Sequence, residues 1–175
     1  MQKKSQPQAP RQTSPHYPEQ AAATAPAVRE DAAAYRFLAA YQAEPRERIA
    51  AIRAGIPAGR VDALARSMGV PKESLVTALG LARATVSRKI RAGATLGPEE
   101  SERLLGVEAL IGQVQAMVAE SGDPAGFNAA RWMARWINGP VPALGGSTPA
   151  SYLDTVEGQK VIAQLLAMMQ SGAYA

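Results

Sequence analysis

Arg83, Thr85, Ser87, Arg88, Lys89 and Arg91 crowd into nine residues whose large apolar members are Val86 and Ile90. On a helix, Val86 and Ile90 stand four apart on one face and leave the six polar side chains largely outside. Guanidinium and ammonium groups at that density suit phosphate oxygens, and an arginine fork also matches the two acceptors on a guanine edge. Ala58–Thr95 holds seven basic residues against Asp62 and Glu73, a local excess of +5. Such an excess supplies a salt-sensitive, sequence-independent attraction to polyanions. An ordinary helix pair with a solvated basic face would carry the same charge.

Other chemistries lack their residues. There is no cysteine, and His16 is the single histidine, so neither a His/Cys metal cluster nor a Ser-His-Asp triad can be assembled. Gly145-Gly146 matches neither the Gly-x-Gly-x-x-Gly nor the P-loop lysine pattern. Glu99, Glu100 and Glu102 follow Pro98 in the first turns of an expected helix, where carboxylates complement the dipole. The reading is a protein that is not an enzyme, with no catalytic set, no metal site and no cofactor. No signal peptide and no apolar run of about 18 residues occurs, so the expectation is a cytoplasmic protein without membrane partners.

The elements that must position the basic cluster read as helices. Alanine is abundant, aromatics make up 5% of the chain, and no window alternates as a strand would. Residues 1–29 hold five of the thirteen prolines and few large aliphatics, a composition expected to stay a disordered tail. Regular structure is expected from Glu30, with helices over Asp31–Tyr41 and Pro45–Arg53. Val61, Leu64, Ala65 and Met68 repeat at helical spacing before Gly69. Lys72–Arg91 then has the proportions of a helix-turn-helix, with Leu75, Val76 and Leu79 facing Val86 and Ile90 across Gly80-Leu81. In that geometry Arg83 and Thr85 lie near bases or the first phosphates, Arg88 reads a base, and Lys89 and Arg91 hold phosphates. A longer helix follows from Pro98 to Glu120, then Phe127–Ile137, a Gly/Pro-rich loop, and Thr155–Gln170. The last helix is expected to turn Val156, Val161, Ile162, Leu165, Leu166 and Met169 inward, with Gly172 just past its end. The fold class is therefore all-α, as a tail (1–29), a DNA-binding helical domain (30–120) and a C-terminal helical module (121–175).

That last module is of a different character. Met1–Leu105 carries 16 basic and 10 acidic residues, whereas Gly106–Ala175 carries 3 and 5. Both tryptophans, Trp132 and Trp136, fall here at i,i+4, beside a constrained loop from Asn138 to Pro149. Aromatic anchors of this kind suit a protein-binding surface, and equally a core. The string Arg131-Trp-Met-Ala-Arg-Trp136, then Asn138-Gly-Pro140, Ala143-Leu-Gly-Gly146, Thr148-Pro149, Tyr152-Leu153 and Thr155-x-x-Gly158-x-x-Val161 resembles the toxin-binding domain of Xre/MbcA/ParS-type antitoxins. Leu79-Gly80, Thr85, Arg88, a glycine, and Leu96 with Glu99, Ser101, Arg103 and Leu104 resemble that family's Xre-like helix-turn-helix. The resemblance runs from Val61 to Gly172. It departs where Met133–Ile137 brings a second tryptophan, and the recognition helix varies between members, so no operator sequence carries over.

The resemblance implies an antitoxin partnered by a RES-domain toxin that consumes NAD or transfers ADP-ribose. Its C-terminal module would obstruct the toxin's active site, with Trp136, Leu144, Gly145, Gly146, Thr148, Lys160, Gly172 and Tyr174 as the toxin-facing candidates. Its helix-turn-helix would repress their shared operon by binding promoter DNA as a homodimer within a larger complex. A stand-alone helix-turn-helix regulator, with a C-terminal module that only dimerises, is the alternative.

Overall fold

The computed structural model describes residues 25–122 and 124–172. Among them the chain forms eight α-helices in the order α1 (Ala25–Gln42), α2 (Pro45–Ala54), α3 (Gly59–Met68), α4 (Lys72–Ala78), α5 (Arg83–Arg91), α6 (Pro98–Ser121), α7 (Ala129–Trp136) and α8 (Val156–Gln170). Short 3-10 turns at Pro142–Leu144 and Pro149–Tyr152 punctuate the loop before α8. No strand forms among the described residues; a single antiparallel bridge joins Pro57 to Thr95.

The expected boundaries hold to within a few residues where the local chemistry is strong. Pro45 and Pro98 occupy first helical positions, where a missing N–H costs nothing. Gly69 closes α3 at φ +69°, a conformation that spares glycine the Cβ clash other residues meet. Two boundaries differ. Of the tail expected over residues 1–29, residues 1–24 lie outside the described residues, while 25–29 already belong to α1. Its alanines favour helix, and Pro26 falls in the first turn, where it is tolerated. Helix α7 begins at Ala129 rather than Phe127, because the Asn128 side chain accepts the Arg131 N–H at 2.9 Å and caps it.

Helix α6 is the axis of the molecule. Leu104, Val107, Leu110, Ile111 and Val114 are buried along it, and α1, α2, α7 and α8 all pack on it. One continuous apolar core joins Val61, Leu64 and Met68 of α3 to Met133 of α7 and Ile162 and Leu166 of α8. On α8, Ile162, Leu165 and Leu166 are buried as expected, but Val161 is 40% exposed. The polar Gln159 is buried instead, its Nε2 donating to Leu153 O at 2.8 Å and Arg103 O at 3.0 Å.

Two glycines let neighbours approach α6 more closely than a side chain would permit. A Cβ on Gly106 would overlap Gln159 Oε1, and a Cβ on Gly112 would overlap the Phe37 carbonyl of α1. Beside these contacts sits a charge. Glu108 of α6 is fully buried and faces Arg60 of α3 through a two-pronged contact, with Arg36 Nε of α1 at 3.1 Å from its Oε1. Burial pushes its carboxyl above the ordinary value, and the attraction of Arg60 and Arg36 only partly offsets this.

Replacing Gly112 by alanine is expected to reverse the usual helix preference. Alanine gains about 1 kcal/mol over glycine in an open helix, but here it meets backbone of α1, so a net loss of about 1–3 kcal/mol is expected in denaturant unfolding, with faster proteolysis of α1. For Glu108 the sign follows from its raised folded-state pKa. The stability it contributes is full below the ordinary value of 4.5 and falls as pH rises toward the raised one. Thermal midpoints from pH 3.5 to 8 should therefore fall for the native chain relative to Glu108→Gln as pH rises, and parallel curves would refute that direction.

Candidate functional site

Helices α4 and α5 meet across a four-residue turn. Leu75, Val76 and Leu79 are buried against Val86, with Ile90 half-buried beside them, as the spacing predicts. The turn depends on Gly80, at φ +61°, and on the buried Leu81, whose N–H reaches Val76 O at 2.9 Å. Arg103 of α6 braces the same turn, donating Nη1 to Gly80 O at 3.1 Å and to Leu79 O at 3.4 Å. Those carbonyls lie at the end of α4, where no intrahelical donor remains.

The six polar residues of α5 are not equivalent. Arg83, Arg88 and Arg91 are exposed, whereas Thr85, Ser87 and Lys89 are half-buried. Arg83 Nη2 donates to Thr77 Oγ1 at 2.7 Å, which pins the start of α5 to α4. Lys89, expected to hold a phosphate, is ion-paired with Glu100 at the start of α6. Glu100 also accepts the Gly97 N–H at 2.6 Å. Burial works against the charge on Glu100, but Lys89, the Gly97 N–H and Arg103 outweigh it and hold its carboxyl below the usual range. Thus Lys89 is engaged inside the protein, and Arg88 and Arg91 present their charge to solvent. Ala84, also exposed, stands one turn before Arg88 on the outer face. Its small apolar side chain gave no signal in the sequence. Glu108 gave none either, and Arg103 was marked only by the family resemblance; the roles of both depend on partners 23 to 72 positions away.

The C-terminal module places its candidates in two groups. Trp132 and Trp136 are half-buried and stacked, with ring centres 5.7 Å apart and planes at 11°, and Phe127 adds a tilted ring 6.4 Å from Trp132. Arg131 and Arg135 are exposed on the same helix. After α7 the loop folds on itself: Val141 N–H reaches Ser147 O at 3.1 Å, Gly146 N–H reaches Val141 O at 3.1 Å, and Ala150 N–H reaches Ile137 O at 2.9 Å. Gly145 and Gly146 are exposed at φ +64° and +84°, so the tip is closed by conformations glycine adopts freely. Leu144 is half-buried against the core, and Thr148 is half-buried at the start of the second 3-10 turn. Lys160 is exposed and paired with Glu157 at 2.7 Å. Gly172 ends α8 at φ +70°, as its position past the helix predicts, and Tyr174 lies outside the described residues.

Among the described residues no three His, Asp or Glu side chains gather as metal ligands, and no helix is long and apolar enough to cross a membrane. The arrangement offers two separate surfaces for macromolecules: an arginine-bearing helix and an aromatic, loop-bearing module.

Comparison with known proteins agrees with both halves. Residues 47–107 match the antitoxin Xre-like helix-turn-helix domain, and residues 122–172 match the antitoxin Xre/MbcA/ParS C-terminal toxin-binding domain. The chain is 41% identical over 141 residues, 81% of its own length and 89% of the relative's, to the "Prs ADP-ribosylating antitoxin" of Sphingobium sp. (strain YBL2). Carrying the two matched domains in order, around the helix-turn-helix and the aromatic module just described, the chain belongs to the Xre/MbcA/ParS family of antitoxins.

Proposed function

We propose that this antitoxin neutralises a cognate RES-domain toxin by obstructing its active site, and represses its own operon by binding promoter DNA as a homodimer. The observation that carries the DNA half is the division of labour on α5. Lys89 is neutralised within the protein, while Arg88 and Arg91 are exposed on the outer face of a helix that Arg103 and Arg83 hold in place. In the major groove, Arg88 would take the bidentate guanine contact and Arg91 a phosphate.

The toxin half rests on the module matched over residues 122–172. Stacked indoles beside exposed arginines have the composition that dominates binding energy at protein interfaces. The self-closed loop bearing Leu144, Gly145, Gly146 and Thr148 is already ordered, so it would enter a cleft with little further loss of entropy. Occlusion needs shape and contact rather than reactive groups, which fits a non-enzymatic role. The relative's name carries ADP-ribosylation, and the partner inferred for this chain is of that chemical class, an enzyme that uses NAD as donor or substrate.

Arg88→Ala is expected to weaken operator binding by about 10- to 100-fold and to relax preference at one base position. Arg91→Ala should lower affinity for all duplexes alike and reduce the slope of log K against log salt by about one. Anisotropy titrations across a salt series would measure both, and equal loss on specific and random duplexes for Arg88→Ala would refute its base-reading role. For the toxin half, co-expression with the neighbouring gene is scored by growth and intracellular NAD. The neighbour alone should collapse both and the pair should not. Trp136→Ala should cost at least about 2 kcal/mol of partner affinity while operator binding persists. A harmless neighbour, or one that forms no complex, would leave a stand-alone regulator.

A further inference from the structure

Three segments meet at Gly80. They are the turn between α4 and α5, the Arg103 region of α6, and the Asp154 corner between the second 3-10 turn and α8. A Cβ on Gly80 would stand 3.0 Å from Asp154 Cβ and 3.4 Å from Arg103 Nη1, so the carboxylate-bearing corner and the guanidinium flank one point. Arg103 gives Nη1 to the Leu79 and Gly80 carbonyls. Its other tie is weak: Nη2 is 3.9 Å from Glu99, an 89% exposed side chain. Asp154 is exposed and makes no ion pair among the described residues.

Arg103 therefore lies beside two kinds of acceptor at the Gly80 turn. One is a pair of neutral carbonyls that shape the helix-turn-helix; the other is a carboxylate on the C-terminal module. A charged acceptor forms the stronger bond to a guanidinium, so a small movement of Asp154 toward Arg103 is enough to change the balance. Such movement is coupled to Arg103 already, because Gln159 Nε2 of α8 donates to both Leu153 O, next to Asp154, and Arg103 O.

We propose that Arg103 is a two-position switch between the DNA-reading and partner-binding halves. On the Leu79 and Gly80 carbonyls it holds the turn in its DNA-ready form. Drawn onto the Asp154 carboxylate when the C-terminal module is occupied, it releases the turn and lowers operator affinity. The inference rests on the reading of this chain as a DNA- and toxin-binding antitoxin. Linkage then requires that DNA weaken toxin binding by the same factor.

The test uses the full chain, a duplex carrying one half-site of its own promoter, and the protein encoded by the adjoining gene at saturating concentration. A single half-site removes any gain from bridging two sites. The native chain should bind the half-site about fivefold or more weakly when toxin is bound. Asp154→Asn should match the free native chain and lose this difference, its two affinities agreeing within about twofold. Arg103→Gln should bind the half-site more weakly in both states, again without a difference. Thermal unfolding of Asp154→Asn, an exposed position, provides the check on folding. A native ratio near one, or an undiminished ratio in Asp154→Asn, overturns the switch while leaving both binding functions standing. Failure of the native chain to bind the half-site or the neighbour overturns the function on which the switch rests.

Discussion

Close approach to α6 is the constraint on which the rest of the structure depends. Gly106 and Gly112 stand six positions apart, about 120° around the helix, so they open two different faces. One receives the amide of Gln159 from α8 and the other receives the backbone of α1 at Phe37. At those separations dispersion contacts are strong and water is excluded, so polar groups trapped nearby depend on partners within the protein. Gln159 and Gln113 do so on main-chain carbonyls, and Ser101 Oγ accepts the Ile56 N–H at 3.0 Å. Glu108 does so on two arginines brought by α1 and α3. The geometry of the helix-turn-helix is inherited from this packing, since Arg103 and Glu100 project from α6 to hold α4 and α5.

The helices were readable because their signals are local. Proline at a first position, glycine past an end and apolar residues three and four apart act through backbone geometry within a few residues. The inner face of α3, the pairing of Leu75, Val76 and Leu79 with Val86, and Gly172 beyond α8 follow from such signals. What escaped were residues whose roles depend on distant partners. Sequence pattern assigns a glutamate in mid-helix to solvent, yet Glu108 is buried because Arg36 and Arg60 converge from 72 and 48 positions away. Val161 matched the apolar period of α8 yet is exposed, whereas the polar Gln159 is buried because Gly106 leaves room for its amide. On α5, charge alone could not separate Lys89 from Arg88. The difference lies in Glu100, which is eleven residues on and reaches back across the turn.

The first matched domain ends within α6, at residue 107, and the second begins just past it, at residue 122, while the helix itself runs unbroken from Pro98 to Ser121. The apolar core passes from α3 through α6 to α7 and α8, and α7 packs on α3 directly. A packed core has discrete arrangements rather than a continuous range, so displacement at one surface is carried to the other instead of being absorbed.

Charge is distributed unevenly between the two surfaces. The stretch from Gly106 to Ala175 carries Arg131, Arg135 and Lys160 against five acidic residues, and Lys160 is already paired with Glu157. Glu108 is buried between two arginines and Glu157 is paired, so the exposed Arg131 and Arg135 of α7 are not outweighed, and a polyanion meets positive charge on both surfaces, densest along α5. The aromatic ridge of Phe127, Trp132 and Trp136 differs from α5 in its apolar area rather than in the sign of its charge. The ridge can then depend on apolar contact, whose strength changes little with salt, while the recognition helix depends on charge, whose strength changes steeply. Under the proposed function, a rise in ionic strength would weaken DNA binding more than partner binding while the chain stays folded.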